Sequence, residues 1–262
     1  MHIFDIHAHI YPDAIADRAV SAISRAYDGV FVRNDGRLDT LLREMDAAGI
    51  EQFAAHSVAT TPHQVHSINT FVMDAAQAHP GRIVPFASVH PDTQDLSSVI
   101  GEIAASGFKG IKLHPEFQGF KVDEPRALEM FSAIAGRLPV LLHCGDSRCD
   151  NSAPERIKHM LAQVPGLTLI CAHLGGWTTW EQAASELIGA DVWVDTSSSL
   201  YALDAATSVK IIRGYGVDRV LFGSDYPMWT PGEEVRRFLA LPLTDDEREK
   251  ILWTNHLNLL KT

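Results

Sequence analysis

The sequence predicts a single domain over residues 1–262, an α/β fold in which eight parallel strands close into a (β/α)8 TIM barrel. Two observations lead to this fold class. Short apolar runs alternate with longer stretches whose apolar residues recur every three or four positions, and alternation of this kind is typical of a parallel sheet. There are eight such runs in 262 residues, close to the usual barrel length of about 250 residues. No glycine-rich nucleotide-binding fingerprint follows the first run, which disfavours an open doubly wound sheet.

The predicted strands are dense in Val, Ile, Leu and Phe, as expected for strands that are buried on both faces. In chain order they are HIFDI, QFAAHSV, RIVPFASV, FKGIKLH, PVLLH, LTLICAH, VWVDT and RVLFGS. Each is short enough to be a strand, and each is followed by a stretch with helical periodicity.

Helix starts are predicted from capping residues that precede apolar stripes. Thr61 is a candidate N-cap for the helix after the second strand. Ser152 with Glu155, and Thr244 with Glu247, have the spacing of a capping box, in which each side chain accepts the other residue's backbone N–H. These signals place helices in the intervals between the strands.

Composition narrows the classes of partner and compartment. The chain is 46% hydrophobic and 21% charged, which excludes disorder as its main state, and its net charge of −11 argues against nucleic acid or an anionic membrane as the main partner. Three cysteines do not form the dense framework of a secreted disulfide scaffold. No signal peptide is recognised, so we expect a cytoplasmic protein that acts on a small molecule. The composition leaves a monomer or a homodimer open.

Polar residues follow several of the apolar runs, at the C-terminal ends of the predicted strands. Functional residues of (β/α)8 barrels lie at these ends. Histidine ends four of the eight predicted strands and aspartate ends a fifth. These residues are His7 and His9 on the first strand, His114 on the fourth, His143 on the fifth, His173 on the sixth and Asp225 on the eighth. The fourth strand also carries Lys112, two positions before His114.

The pair His7 and His9 can bind one ion, because side chains two positions apart on a strand point to the same face. With His143 and Asp225 they would supply three imidazoles and one carboxylate, a donor set that suits Zn²⁺ or another first-row divalent ion. Each residue taken alone has an ordinary alternative: a surface histidine pair, a histidine that donates to a carbonyl, or an aspartate that caps a turn. Their shared position at one end of several strands favours the metal site.

Five motifs resemble those of the amidohydrolase superfamily: FDIHAHIYPD, FKGIKLHP, VLLHCGD, LICAHLGG and VLFGSDYP. The closest resemblance is to the "amidohydrolase 2" branch that includes aminocarboxymuconate semialdehyde decarboxylase, and it extends from residue 3 to the final helix. It implies that His7, His9, His143 and Asp225 bind the metal. It also implies that His173 is a second ligand or an acid–base group.

The fourth strand leaves the number of metal ions open. Binuclear relatives carry a carboxylated lysine or a glutamate there as a bridge, and Lys112 lies at that place, on the same strand face as His114. The simpler interpretation is that Lys112 faces a carboxylate or phosphate of the substrate. We therefore expect one ion, Zn²⁺ or alternatively Mn²⁺, with a binuclear centre less favoured, and we assign Lys112 and His114 to substrate binding.

The resulting expectation is a metal-dependent hydrolase of a small carboxylated amide, lactone or ester. Asp225 would take the proton of the attacking water, and His173 would stabilise the oxyanion or serve as the alternative base. A non-oxidative decarboxylase of a small carboxylic acid is the alternative, because members of this branch divide between the two reactions with nearly the same ligands. A non-catalytic metal-binding barrel is disfavoured, since neither His173 nor Lys112 is needed merely to hold an ion.

Overall fold

A computed structural model describes residues 1–29 and 32–261. Its eight strands form one sheet in which each strand pairs in parallel with the next along the chain. The strands are β1 (Phe4–His9), β2 (Gln52–His56), β3 (Ile83–Ala87), β4 (Gly110–Leu113), β5 (Val140–Leu142), β6 (Leu169–Cys171), β7 (Trp193–Asp195) and β8 (Val220–Leu221). This order confirms the predicted (β/α)8 barrel and all eight strand positions.

The barrel closes between its first and last strands through the backbone. The Ile6 N–H donates to the Phe222 carbonyl at 2.9 Å, and the Asp225 N–H donates to the His7 carbonyl at 2.8 Å. The His9 N–H donates to a carbonyl further along the same segment, that of Tyr226, at 2.8 Å. These bonds continue beyond β8 and hold Asp225 beside the two histidines of β1.

Helices fill the intervals between the strands, as predicted. They are α1 (Asp13–Ala26), α2 (Leu38–Ala48), α3 (Val65–Ala78), α4 (Leu96–Ala105), α5 (Pro115–Gln118), α6 (Pro125–Ile134), α7 (Pro154–Gln163), α8 (Trp180–Leu187), α9 (Ala205–Tyr215), α10 (Pro231–Leu239), α11 (Asp245–Glu249) and α12 (Asn255–Leu260). Within the described ranges, none of them is both long enough and apolar enough to cross a membrane.

Two of the predicted helix starts are confirmed. Thr244 and Glu247 form a reciprocal capping box at the start of α11. Thr61 forms one with Gln64 on a single 3₁₀ turn that leads directly into α3.

The predicted capping box of Ser152 and Glu155 is wrong. Helix α7 begins at Pro154, and no side chain caps it. Proline presets the helical φ at the first position, so the helix can begin without a hydroxyl cap. The Ser152 hydroxyl instead donates to the Glu116 carboxylate, beside the predicted site.

The lower part of the barrel interior is apolar. Along β5, Val140 and Leu142 belong to the core between strands and helices, whereas Leu141 belongs to a second cluster on the opposite face of the strand. We call this second cluster the basal layer; its members are Phe4, Ile6, Ala54, Val84, Phe86, Leu141, Ile170, Ala172, Trp193, Leu221 and Leu260. Leu260 comes from α12, so the last helix contributes to the same packing.

Candidate functional site

The interior changes from apolar to polar toward the C-terminal ends of the strands. Six of the seven predicted site residues line one cavity of about 950 Å³ at this end: His114, and the five residues His7, His9, His143, His173 and Asp225. All five are buried, with at most 8% of their surface exposed. The chain therefore brings residues from β1 and from the segments after β5, β6 and β8 into a single cavity.

Three donor atoms lie at the spacing of ligands around one ion. His7 Nε2 lies 3.3 Å from His9 Nε2 and 3.4 Å from Asp225 Oδ1. The distance from His9 Nε2 to Asp225 Oδ1 is 3.7 Å. Bonds of about 2.1 Å in a tetrahedral site place neighbouring ligand atoms roughly 3.4 Å apart. His7, His9 and Asp225 thus fit a divalent ion without large movements.

The fourth predicted ligand, His143, lies beside His173. Its Nδ1 is 3.0 Å from His173 Nε2, and its Nε2 is 3.1 Å from the Gly145 carbonyl oxygen. An Nε2–H that donates to this carbonyl leaves the lone pair of Nδ1 on the side of His173. The assignment of His143 to the same ion as the other three residues remains a prediction.

Asp195 orients this end of the barrel, although the sequence analysis did not select it. Its Oδ2 lies 2.8 Å from His7 Nδ1, and its Oδ1 accepts the backbone N–H of His173 at 3.0 Å. An Nδ1–H that donates to a carboxylate keeps His7 Nε2 unprotonated, which is the form that a metal ligand needs. The available signal was the aspartate at the end of VWVDT, on a strand that was already predicted.

Asp225 is held through its second oxygen. The Ser198 hydroxyl donates to Asp225 Oδ2, and Trp229 Nε1 donates to the Ser198 oxygen at 2.9 Å. Oδ1 is therefore directed toward the two histidines, while Oδ2 is fixed by the loop after β7. The sequence analysis did not predict Ser198 as a site residue, because a serine in a loop belongs to no recognisable spacing pattern.

Burial sets the charge of these groups. It lowers the pKa of His7 and His9 well below the usual value, so both imidazoles are neutral, the form that binds metal. It lowers the pKa of His173 to about 4 for the same reason. Burial raises the pKa of Asp225 to about 7, although the Ser198 hydrogen bond opposes the rise.

Lys112, which the sequence analysis assigned to substrate binding, lies beneath the cavity wall. It is fully buried, does not belong to the side chains that line the cavity, and its Nζ lies 3.0 Å from His7 Nε2. Burial lowers its pKa to about 8. An ammonium at this distance from a ligand atom would repel a dication, so a bound metal requires Lys112 to be neutral or to turn away.

His114 lines the cavity, with a hydrogen-bond partner on Nε2 and a carboxylate near Nδ1. Its Nε2 lies 3.0 Å from the Tyr27 hydroxyl, and its Nδ1 lies 3.3 Å from Glu116 Oε2. The ring stacks between Phe117 and His143, with both centroid distances at 3.9 Å. Tyr27 and Glu116 lie in loops or short helices, where the strand-end argument could not find them.

Other histidine and carboxylate groups that could hold a metal overlap at the same end of the barrel. Among the described residues these groups are His7–His9–His56, His7–His173–Asp195 and His114–Glu116–His143. His56 is fully buried, and neither of its ring nitrogens has a hydrogen-bond partner in the part of the chain that the structure describes. The sequence analysis missed it, although it is the histidine within QFAAHSV.

Fold and site together define a parallel α/β barrel with a buried histidine–aspartate centre of metal-binding type. The chain belongs to the amidohydrolase family, whose model, described as Amidohydrolase, matches residues 4–261. This match confirms the resemblance seen in the five motifs. No curated protein matches the sequence.

Three solved structures show the same architecture. A TIM-barrel protein from Bordetella bronchiseptica has 23% identity and a TM-score of 0.81, with 100% of this chain and 99% of that chain covered. A dihydroxybenzoic acid decarboxylase from Polaromonas has 15% identity and a TM-score of 0.75, with 99% and 97% covered. A Pseudomonas putida protein provisionally assigned as a 2-pyrone-4,6-dicarboxylic acid hydrolase has 19% identity and a TM-score of 0.70, with 99% and 97% covered.

The Polaromonas structure contains manganese and the inhibitor 2-nitroresorcinol. At these identities the three structures establish the fold of this chain, and its reaction has to be argued from its own residues.

Proposed function

We propose that the chain is a metal-dependent hydrolase that acts on a small carboxylated amide, lactone or ester. The observation that carries the proposal is the trio of donor atoms from His7, His9 and Asp225, with separations of 3.3–3.7 Å. His143 is proposed as the fourth ligand, because it lines the same cavity. When bound, a divalent ion supplies Lewis-acid chemistry and lowers the pKa of water from 15.7 to about 7.

Asp225 is proposed to move the proton. Its Oδ1 faces the histidines and its Oδ2 accepts a hydrogen bond from Ser198, so the orientation of the carboxylate is restrained. The reacting water would bind beside Oδ1. Asp225 would accept a proton from that water and transfer it to the leaving group. A fixed base close to the reacting atoms typically contributes 10²–10⁴-fold to the rate.

His173 and His114 are proposed to handle the substrate. The Nδ1 of His173 lies 3.1 Å from the Ser197 carbonyl oxygen, and its Nε2 lies 3.0 Å from His143 Nδ1 in the wall of the cavity. His173 would stabilise the developing oxyanion or act as an alternative base. His114, held by Tyr27, would contact the substrate. Lys112 is retained as a substrate-binding residue only if it turns toward the cavity.

We infer one ion per chain. Three imidazoles and a carboxylate suit Zn²⁺, and the manganese of the Polaromonas structure supports Mn²⁺ as the alternative. A non-oxidative decarboxylase is the second candidate, because the similar structures include the dihydroxybenzoic acid decarboxylase and the donor set serves either reaction. Hydrolysis is preferred because Asp225 is positioned as a proton acceptor.

The experiment combines metal analysis with a substrate screen in H₂¹⁸O. Carboxylated lactones, amides and aromatic acids are offered to the metal-loaded enzyme. We expect about one metal per chain, ¹⁸O in the organic product and no CO₂. Release of CO₂ without ¹⁸O in the organic product would establish the decarboxylase instead, and turnover that survives complete removal of metal would overturn both candidates.

The variant Asp225→Asn tests the proton-transfer role within the same experiment. An amide oxygen can still approach a metal, but it cannot take a proton from water at neutral pH. We expect partial metal retention and a kcat at least about 100-fold lower. The matched control is Asp246→Asn, at an exposed position on α11.

A further inference from the structure

Helix α1 presents an apolar face to the cavity rather than to the protein core. Among its residues only Ala16 is buried. The positions of α1 that line the cavity are Ile15, Arg18, Ala19, Ala22, Ile23, Arg25 and Ala26. They recur at a spacing of three or four residues, and the two arginines are the charged members of this lining. Residues three and four positions apart lie on one face of a helix. Most helices in proteins are stabilised by packing such a face, and among the described residues this face lines the cavity.

A second helix face lines the same cavity. Gln64 from the preceding turn, and Ser67, Ile68 and Phe71 from α3, follow the same three-and-four spacing. The buried residues of α3, such as Val65 and Val72, lie on a different stripe. We call the region lined by Ile15, Ala19 and Ile23 of α1 and by Ile68 and Phe71 of α3 the apolar slot. It is continuous with the histidine–aspartate centre.

The size of the cavity also indicates an occupant larger than a single-ring acid. Its volume of about 950 Å³ is near the upper end of the range of about 300–1,000 Å³ for pockets that hold drug-sized ligands. The small side chains of Ala19, Ala22 and Ala26 leave room at the α1 face. Apolar walls that border water are unfavourable, so an apolar ligand group that covers them gains free energy.

We propose that the apolar slot binds the apolar arm of the substrate, an alkyl or aryl group of several carbons whose hydrolysable head lies at the metal donors. The inference rests on the proposed function, which supplies the identity of the hydrolysable group. It specifies an acyl amide, ester or lactone that carries an apolar substituent.

Hydroxamates with alkyl tails of increasing length test this without knowledge of the natural substrate, because the hydroxamate head chelates metal. Binding of acetohydroxamate, butanohydroxamate and octanohydroxamate to the Zn²⁺-loaded enzyme is measured by calorimetry. Each buried methylene should strengthen binding roughly threefold, so octanohydroxamate should bind at least about 100-fold more tightly than acetohydroxamate. Equal affinities along the series would overturn the slot.

Two variants of α1 separate the slot from unspecific hydrophobic binding. Ala19→Phe fills the slot and should flatten the chain-length series. Ala14→Phe introduces the same side chain at an exposed position of α1 outside the cavity lining and should leave the series unchanged. A steep series in Ala19→Phe, with folding verified by circular dichroism, would contradict the proposal.

Octanamide, which does not chelate metal, distinguishes a failure of the slot from a failure of the metal centre. If no hydroxamate binds, the metal proposal fails. Octanamide binding detected by ligand-observed NMR in the native chain but lost in Ala19→Phe would still support the slot. Absence of both signals would overturn the slot as well.

Discussion

The two halves of the barrel interior differ in chemistry although the same strands build both. The basal layer is apolar, and Phe4 and Ile6 in it are at most 1% exposed. The upper half holds histidines, aspartates and Lys112 at comparable burial. One strand, β1, contributes Phe4 and Ile6 to the lower half and His7 and His9 to the upper half. Stability and function are therefore separated along the barrel axis.

The upper half is costly to fold. Within residues 1–29 and 32–261, neither ring nitrogen of His56 has a hydrogen-bond partner, and His9 Nδ1 has none either. A buried polar group without a partner costs about 1–3 kcal/mol. Apolar burial is the main stabilising contribution in the interior, and the basal layer and the core between strands and helices supply it. We therefore expect mutations in the basal layer to lower the free energy of unfolding, and mutations in the upper half to lower metal affinity.

The largest expected effect is on stability, in the basal layer. Phe4→Ala removes a ring that is 1% exposed and should lower the free energy of unfolding by about 3–5 kcal/mol, measured by urea denaturation. Metal content per folded chain should not change. Ile188→Ala, at a side chain that is 39% exposed, is the control and should cost less than about 1 kcal/mol. Loss of metal from folded Phe4→Ala would break the proposed separation.

The second effect is on metal affinity, in the upper half. Asp195→Asn can turn an NH₂ group toward His7 Nδ1, which then has to accept, and this moves the ring proton to Nε2. Metal affinity should fall about 10–100-fold, measured by competition with a chelator. Asp191→Asn, at a side chain that is 87% exposed, is the control and should bind metal normally. An unchanged affinity in Asp195→Asn would show that Asp195 does not set the tautomer of His7.

The smallest expected effect is on the pH dependence of stability. It concerns the lower end of the barrel, where His256 packs against the basal layer. The His256 ring stacks on Phe4 with a centroid distance of 3.9 Å, and burial lowers its pKa to about 4. The unfolded chain binds a proton at this residue below about pH 6.5, but the folded chain does not. His256 therefore contributes a loss of stability as the pH falls from about 6.5 to about 4, roughly 1–2 kcal/mol between pH 7 and pH 5.

The measurement is the difference between the native chain and His256→Phe, which keeps the stacked ring and cannot take a proton. Unfolding free energies at pH 7 and pH 5 should differ less in the variant. Equal pH dependence in both proteins would show that His256 is not an acid-sensitive element of the lower half.

Much of the fold was predictable because it depends on local pattern. The eight strands, the capping box of Thr244 and the histidines at the strand ends all follow from residue type and spacing. The misplaced capping box of Ser152 shows the limit of such reasoning. A serine three positions before a glutamate matches the local motif, yet the Ser152 hydroxyl bonds to Glu116, a residue 36 positions away.

The sequence by itself determined the barrel, the family and the end of the barrel where His7, His9, His143, His173 and Asp225 meet, because strand alternation and strand termini are local properties. Only the tertiary structure decided four features. They are the contact of His143 with His173, the contact of Asp195 with His7 Nδ1, the burial of Lys112 and the apolar slot beside α1. Each of these depends on distances between segments far apart in the chain, and such distances are set by how strands and helices pack around the barrel.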